Sequence, residues 1–257
     1  MSGAATSARS AAVRALLLAT LVASPLVAQA AQPTPEQAAE RRRVEEERLR
    51  NDWASLARYR NENAALPAPR PGERRVVFMG NSITEGWAQH FPAMFPGKPY
   101  VGRGIGGQTT PQMLVRFRQD VVALRPAAVV ILAGTNDIAG NTGPSTLAMI
   151  EDNIASMAEL AKANGIRVVL ASVLPVYDYP WRPGLEPAPK IVALNAWLKR
   201  YAAAHGAVYL DYHSAMADER QGLRRELSGD GVHPNEAGYR VMAPLAERAI
   251  GEALRRR

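Results

Sequence analysis

The chain contains no cysteine. That excludes disulfides, thiolate metal sites and a cysteine nucleophile. Histidine is scarce, with four in 257 residues, so few side chains can serve as a base near neutral pH. Aromatic residues make up 6% of the chain, and no basic stripe is interleaved with them, which argues against nucleic-acid binding. No apolar run reaches the roughly 20 residues that span a bilayer. A phosphate-binding Gly-x4-Gly-Lys-Ser/Thr motif is missing. Gly102, Gly104 and Gly107 fit a Gly-x-Gly-x-x-Gly spacing only without a long strand ahead of it.

What is present starts with an N-terminal targeting pattern. Arg9 and Arg14 form a basic region with no acid, Ala15–Val27 is apolar apart from Thr20 and Ser24, and Ala28-Gln29-Ala30 suits cleavage. Residues 1–30 are therefore expected to be a signal peptide, and the protein to be periplasmic or secreted. The chain holds 31 Lys and Arg against 24 Asp and Glu, and two of those arginines lie in the leader. The remainder is only mildly basic.

Residues 31–72 read as a charged helix followed by a linker. Leu49, Trp53, Leu56 and Tyr59 form a narrow apolar stripe over residues 35–64, fit to dock on the domain or on a partner. Leu66–Gly72 is proline-rich and marks the start of a catalytic domain at residue 73. From there apolar strands alternate with helical stretches. The strands are expected at Val76–Met79, Pro99–Val101, Ala128–Ala133, Arg167–Ser172 and Val208–Asp211. The principal helices are expected at Pro111–Leu124, Ser145–Asn164, Pro189–Ala204 and Glu236–Arg255. Five strands separated by helices imply an α/β fold with a parallel sheet between two helical layers. Ligands in such sheets bind at the carboxyl ends of the strands.

Those ends carry the polar residues. Ser82 follows the first strand across Gly80-Asn81 and stands at the start of a helix, where a hydroxyl is exposed and free backbone N–H groups are close. Gly102 to Gly107 lets backbone approach another group closely. Asn136 can aim an amide at the same space, or close an Asx turn. The loop after the fourth strand carries Tyr177, Tyr179, Trp181 and Arg182 among prolines, as a wall for a substrate or as surface packing. Asp230 precedes His233 by three residues, close enough to orient its ring. His90, His205 and His213 lie on or beside helices without such a partner, with Asp211–His213 as the pair to check.

The blocks GNSIT, GIGGQT, GTND and DGVHP, in this order, resemble those of the SGNH (GDSL-like) hydrolases over about residues 74–254. The resemblance implies a flavodoxin-like three-layer fold and ester hydrolysis without metal or cofactor. By motif position it implies Ser82 as nucleophile, Asp230 and His233 completing a triad, and Ser82, Gly107 and Asn136 as oxyanion donors. Trp181 and Arg182 are the candidates for substrate contact, with short-chain or carbohydrate O-acetyl esters as the expected substrates. A lysophospholipase or thioesterase, or a non-catalytic binding protein on the same fold, are the competing readings. Oligomeric state is not legible. One residue departs from the pattern: Asn81 stands where the family carries aspartate.

Overall fold

A computed structural model describes residues 34–256. The expected signal peptide lies outside the described residues. The chain divides into a short unit through residue 43 and a compact unit of residues 44–257.

In chain order the elements are α1 (Pro35–Asn51), α2 (Arg60–Ala65), β1 (Val76–Gly80), α3 (Ser82–Ala88), α4 (Phe91–Met94) and β2 (Tyr100–Gly104). They continue with α5 (Thr110–Asp120), β3 (Ala128–Leu132), α6 (Thr135–Ile138), α7 (Leu147–Ala163) and β4 (Arg167–Ala171). The last are α8 (Pro187–His205), β5 (Val208–Leu210), α9 (His213–Met216) and α10 (Glu236–Arg255). The strands form one parallel sheet in the order β2-β1-β3-β4-β5. This is the parallel sheet between helical layers that the alternation implied, and the flavodoxin-like arrangement that the resemblance implied.

The central strands β1 and β3 are buried on both faces, which is why they read as apolar runs. Alternate residues serve opposite layers. Val77, Met79, Val129 and Ile131 pack with Met113 and Phe117 of α5, Ile154 of α7 and Leu194 of α8. Val76, Phe78, Val130 and Leu132 pack with Trp87 of α3 and with Met242 and Ile250 of α10. Among the described residues, no helix is long and apolar enough to cross a membrane.

Among the differences from expectation, two bear on the site. β2 runs on through Gly102 and Gly104, which pair in register with Phe78 and Gly80. A Cβ on Gly104 would stand 2.1 Å from the Glu85 nitrogen, and one on Gly102 2.4 Å from the Ala88 Cβ. These glycines are strand residues whose missing side chains let α3 lie directly on the sheet. The second difference is in the N-terminal segment, where the charged helix stops at Asn51 instead of reaching residue 64. The Asp52 carboxylate accepts the Leu56 and Ala57 N–H groups at 2.7 and 2.8 Å, an alternative to helical bonding. Ser55 takes φ +55, and α2 begins afresh at Arg60. The stripe therefore does not form: Leu49 and Trp53 stay exposed, while Ala54 and Tyr59 are buried.

Candidate active site

The turn between β1 and α3 is as tight as its sequence suggests. A Cβ on Gly80 would fall 2.0 Å from the Thr84 hydroxyl oxygen, so only glycine fits there. Asn81 is buried, and its Oδ1 accepts the Ile83 N–H at 3.1 Å, capping α3. Ser82 is the first residue of α3. The amide at position 81 thus supplies the cap acceptor without a charge.

Ser82 Oγ lies 2.9 Å from His233 Nε2, and His233 Nδ1 lies 2.7 Å from Asp230 Oδ2. The second oxygen of Asp230 accepts the backbone N–H groups of Val232 and His233 at 2.9 and 2.8 Å. Ser228 braces the loop further, with its hydroxyl 2.8 Å from the His233 carbonyl and 2.9 Å from the Gly231 nitrogen. Burial pushes the Asp230 carboxyl up, but the His233 ring, the two backbone donors and the His233 charge together outweigh it and bring the pKa down to about 2. An ionised carboxylate only accepts. The Nδ1 of His233 therefore carries the hydrogen, and Nε2 is left to accept the Ser82 hydroxyl proton.

The glycine loop lies beside this relay. A Cβ on Gly106 would be 3.9 Å from the Ser82 Cβ. The Gly106 N–H donates to Glu85 Oε2 at 2.9 Å. Gly107 takes φ +74, its carbonyl accepts from Asn141 Nδ2 at 3.1 Å, and no partner for its N–H is found among the described residues. Asn136, in the first turn of α6, is buried and donates from Nδ2 to the Gln108 carbonyl at 2.9 Å. One amide hydrogen is thus anchored in the loop that holds Gly107, and the other remains for a ligand.

The loop after β4 meets the same site. Tyr179 is buried with its hydroxyl 2.9 Å from Thr135 Oγ1 and donating to the Thr135 carbonyl at 2.8 Å. Trp181 is 46% exposed, and its ring centroid is 6.2 Å from that of His233. Arg182 differs from its sequence reading. Its Nη1 donates to the carbonyls of Ala139 at 2.7 Å and Gly140 at 3.1 Å, so it braces the chain after α6 rather than offering that nitrogen to a substrate.

Two contributors were missed in the sequence. Asp137 accepts the Thr110 N–H at 2.9 Å and its hydroxyl at 2.6 Å, tying α6 to the start of α5. Burial raises its pKa, opposed by the Thr110 bonds. Its place directly after Asn136 was the available signal. Arg116 is fully buried and donates to Gln108 Oε1, Asp120 and the carbonyls of Gly80 and Arg103. Nothing in the pattern of a helix sequence separates such a residue from a solvated arginine.

The other histidines have other surroundings. Asp211 spends its carboxylate on the Ser214 N–H and hydroxyl, and His213 is buried, with an Nε2 that has no partner among the described residues and a pKa lowered by burial against the pull of Asp211. His205 stacks on Tyr201, and His90 lies 5.6 Å from the Tyr239 ring.

The sequence profile of the GDSL-like lipase/acylhydrolase family matches residues 78–241, from β1 into α10. The chain belongs to this family. It is therefore an SGNH hydrolase, an enzyme class that cleaves ester bonds. A GDSL-like lipase from Bacteroides thetaiotaomicron has the same fold with a TM-score of 0.76 and 50% identity, over 79% of this chain and all of that one. The acetylxylan esterase of Xylanibacter ruminicola is 24% identical over 72% of this chain, which spans 45% of that protein. Esterase TesA of Pseudomonas aeruginosa is 26% identical over 63% of this chain and 77% of its own length.

Proposed function

We propose that this GDSL-like hydrolase is an exported serine esterase that removes short acyl groups, with carbohydrate O-acetyl esters as the favoured substrates. The observation that carries the reading is the continuous relay from Ser82 Oγ through His233 to Asp230, at 2.9 and 2.7 Å. In the first half-reaction Ser82 Oγ attacks the ester carbonyl carbon while its proton passes to His233 Nε2. The carbonyl oxygen takes the charge and is held by the N–H groups of Ser82 and Gly107 and the Asn136 amide. Collapse breaks the ester C–O bond, and His233 returns the proton to the leaving alcohol. Water then repeats the sequence on the acyl-enzyme, with His233 again as base. Asp230 stays ionised throughout and stabilises the imidazolium. No metal or cofactor enters this scheme.

The exposed face of Trp181 beside His233 supports a sugar platform at the leaving-group side, and the acetylxylan esterase relative agrees with that choice. Export rests on the Arg9–Ala30 pattern. The test is Ser82→Ala assayed on p-nitrophenyl esters of increasing chain length and on acetylated xylan, with fluorophosphonate labelling beside it. Turnover should fall about 10³-fold or more, label should vanish, and acetate should be the best acyl group. Normal turnover in the folded variant rejects the mechanism, and a preference for long chains rejects the substrate class.

A further inference from the structure

The loop 104–108 holds three glycines, so its backbone has little stiffness of its own. Within the loop the Gln108 N–H donates to the Ile105 carbonyl at 3.3 Å, and the other ties around Gly107 come from outside it. Tyr59 donates its hydroxyl to the Gly104 carbonyl. Gln108 Nε2 donates to the Ala54 carbonyl at 2.8 Å. Between these two, Gly106 N–H is bonded to Glu85, whose other carboxylate oxygen lies 3.6 Å from Arg58 Nη2. Three ties, at residues 104, 106 and 108, thus lead to the segment just before α2.

That segment is itself fastened to α5 by polar side chains. Gln112 Nε2 donates to the Trp53 carbonyl at 2.7 Å and Gln119 Nε2 to the Leu56 carbonyl at 2.8 Å. Asn63 donates to Asp120 Oδ1 at 2.6 Å and accepts from Arg103 Nε at 2.8 Å. The Tyr59 ring lies 4.6 and 4.7 Å from the Arg58 and Arg103 guanidinium carbons. A segment that served only to cover apolar surface would bury apolar side chains. Its buried apolar residues are Ala54 and Tyr59 alone, and the Tyr59 hydroxyl is directed at the glycine loop.

We propose that residues 52–65 are a positioning strap that holds the 104–108 loop so that the Gly107 N–H faces the substrate oxygen. This rests on the reading of Gly107 as an oxyanion donor. Tyr59 and Gln108 are the principal positioning residues; the exposed Arg58–Glu85 pair contributes least, as solvated pairs do. The strap touches no reacting atom. It acts through the placement of one donor, whose benefit is confined to the developing oxyanion. Loosening it lowers kcat and leaves KM nearly unchanged.

The test uses the full chain with Tyr59→Phe, which removes one hydroxyl, and Arg58→Ala, which alters only an exposed side chain. Each is assayed for kcat and KM on p-nitrophenyl acetate and for amide hydrogen exchange in peptides covering 104–108. Tyr59→Phe should reduce kcat roughly 10-fold with KM within about twofold, since outright loss of an oxyanion donor costs about 10²–10³-fold. Exchange at 104–108 should accelerate while α7 and α10 stay protected. Arg58→Ala should move both quantities the same way by less. An unchanged kcat with unchanged loop exchange overturns the strap, and so does a loss confined to KM. If Tyr59→Phe does not fold, Arg58→Ala decides on the same two readouts. Ser82→Ala run in parallel separates the two ideas: retained turnover there rejects the serine mechanism, while exchange at 104–108 still judges the strap.

Discussion

Asp230 has the most exacting environment of any carboxylate in the site. One oxygen faces the His233 ring, and the other accepts two backbone N–H groups. Its pKa of about 2 lies below the ordinary carboxylate value. A carboxyl lowered on folding stabilises the native state above its unfolded pKa, and this contribution disappears as pH falls through the folded value. The charge is therefore in place over the whole working range and does not itself shape the pH–rate profile. Asp230→Asn should keep the two backbone bonds on one oxygen and lose the counter-charge. We expect kcat to fall roughly 10–10³-fold, less than the 10⁴ of the serine-protease case. Initial-rate assays on both forms check this, and an unchanged kcat removes Asp230 from the relay. His213→Ala in the same assay should leave turnover near normal, given that Asp211 is occupied by Ser214. These residues were legible because spacing and turn chemistry constrain them. That Arg182 Nη1 is held by the Ala139 and Gly140 carbonyls was not legible, since which acceptor a guanidinium meets depends on the fold of the chain after α6.

At the scale of elements, the contact between α3 and the sheet has the least freedom. Gly80 and Gly104 are paired in register, and each faces α3 backbone or a side chain of its first turns at distances no Cβ tolerates. Gly104→Ala should displace α3 and with it Ser82. The cost is about 1–3 kcal/mol, the range for overpacking a tight interior, seen as a Tm lower by several degrees. Gly229→Ala, whose added Cβ meets nothing within 4 Å, is the control and should melt like the parent. Strands β1, β3 and β4 were readable to within a residue because each carries an unbroken apolar run, preceded in β4 by the exposed Arg167. α10 was readable at both ends, with Asn235 accepting the Gly238 N–H as its cap. β2 was cut short, because strand glycines look like loop glycines until the helix lying on them is known. The break after Asn51 was hidden for a similar reason. It depends on Asp52 outcompeting helical bonding, and nothing in the local stripe favours that choice.

For the molecule as a whole, everything in the site and in both apolar layers belongs to the unit from residue 44 onward. A chain beginning at residue 44 should fold and keep its turnover, as judged by circular dichroism and the p-nitrophenyl acetate assay. Loss of either would give the preceding residues a role that no site contact requires. Residues 52–65, ahead of the proline-rich linker, bond to α5 and the glycine loop. Three of those bonds end on the carbonyls of Trp53, Ala54 and Leu56, and a carbonyl has no letter in a sequence.

The Ser82–His233 bond joins residues 151 positions apart. During synthesis the hydroxyl leaves the ribosome long before its base. Until the final helix-bearing portion follows, the emerging polypeptide carries an unactivated alcohol and no means of ionising it. The catalytic power of the chain is in this sense switched on by completion. In a refolding experiment, recovered turnover reports closure of that long loop, a late event for contacts so distant in sequence, whereas helix content reports only the local steps that precede it.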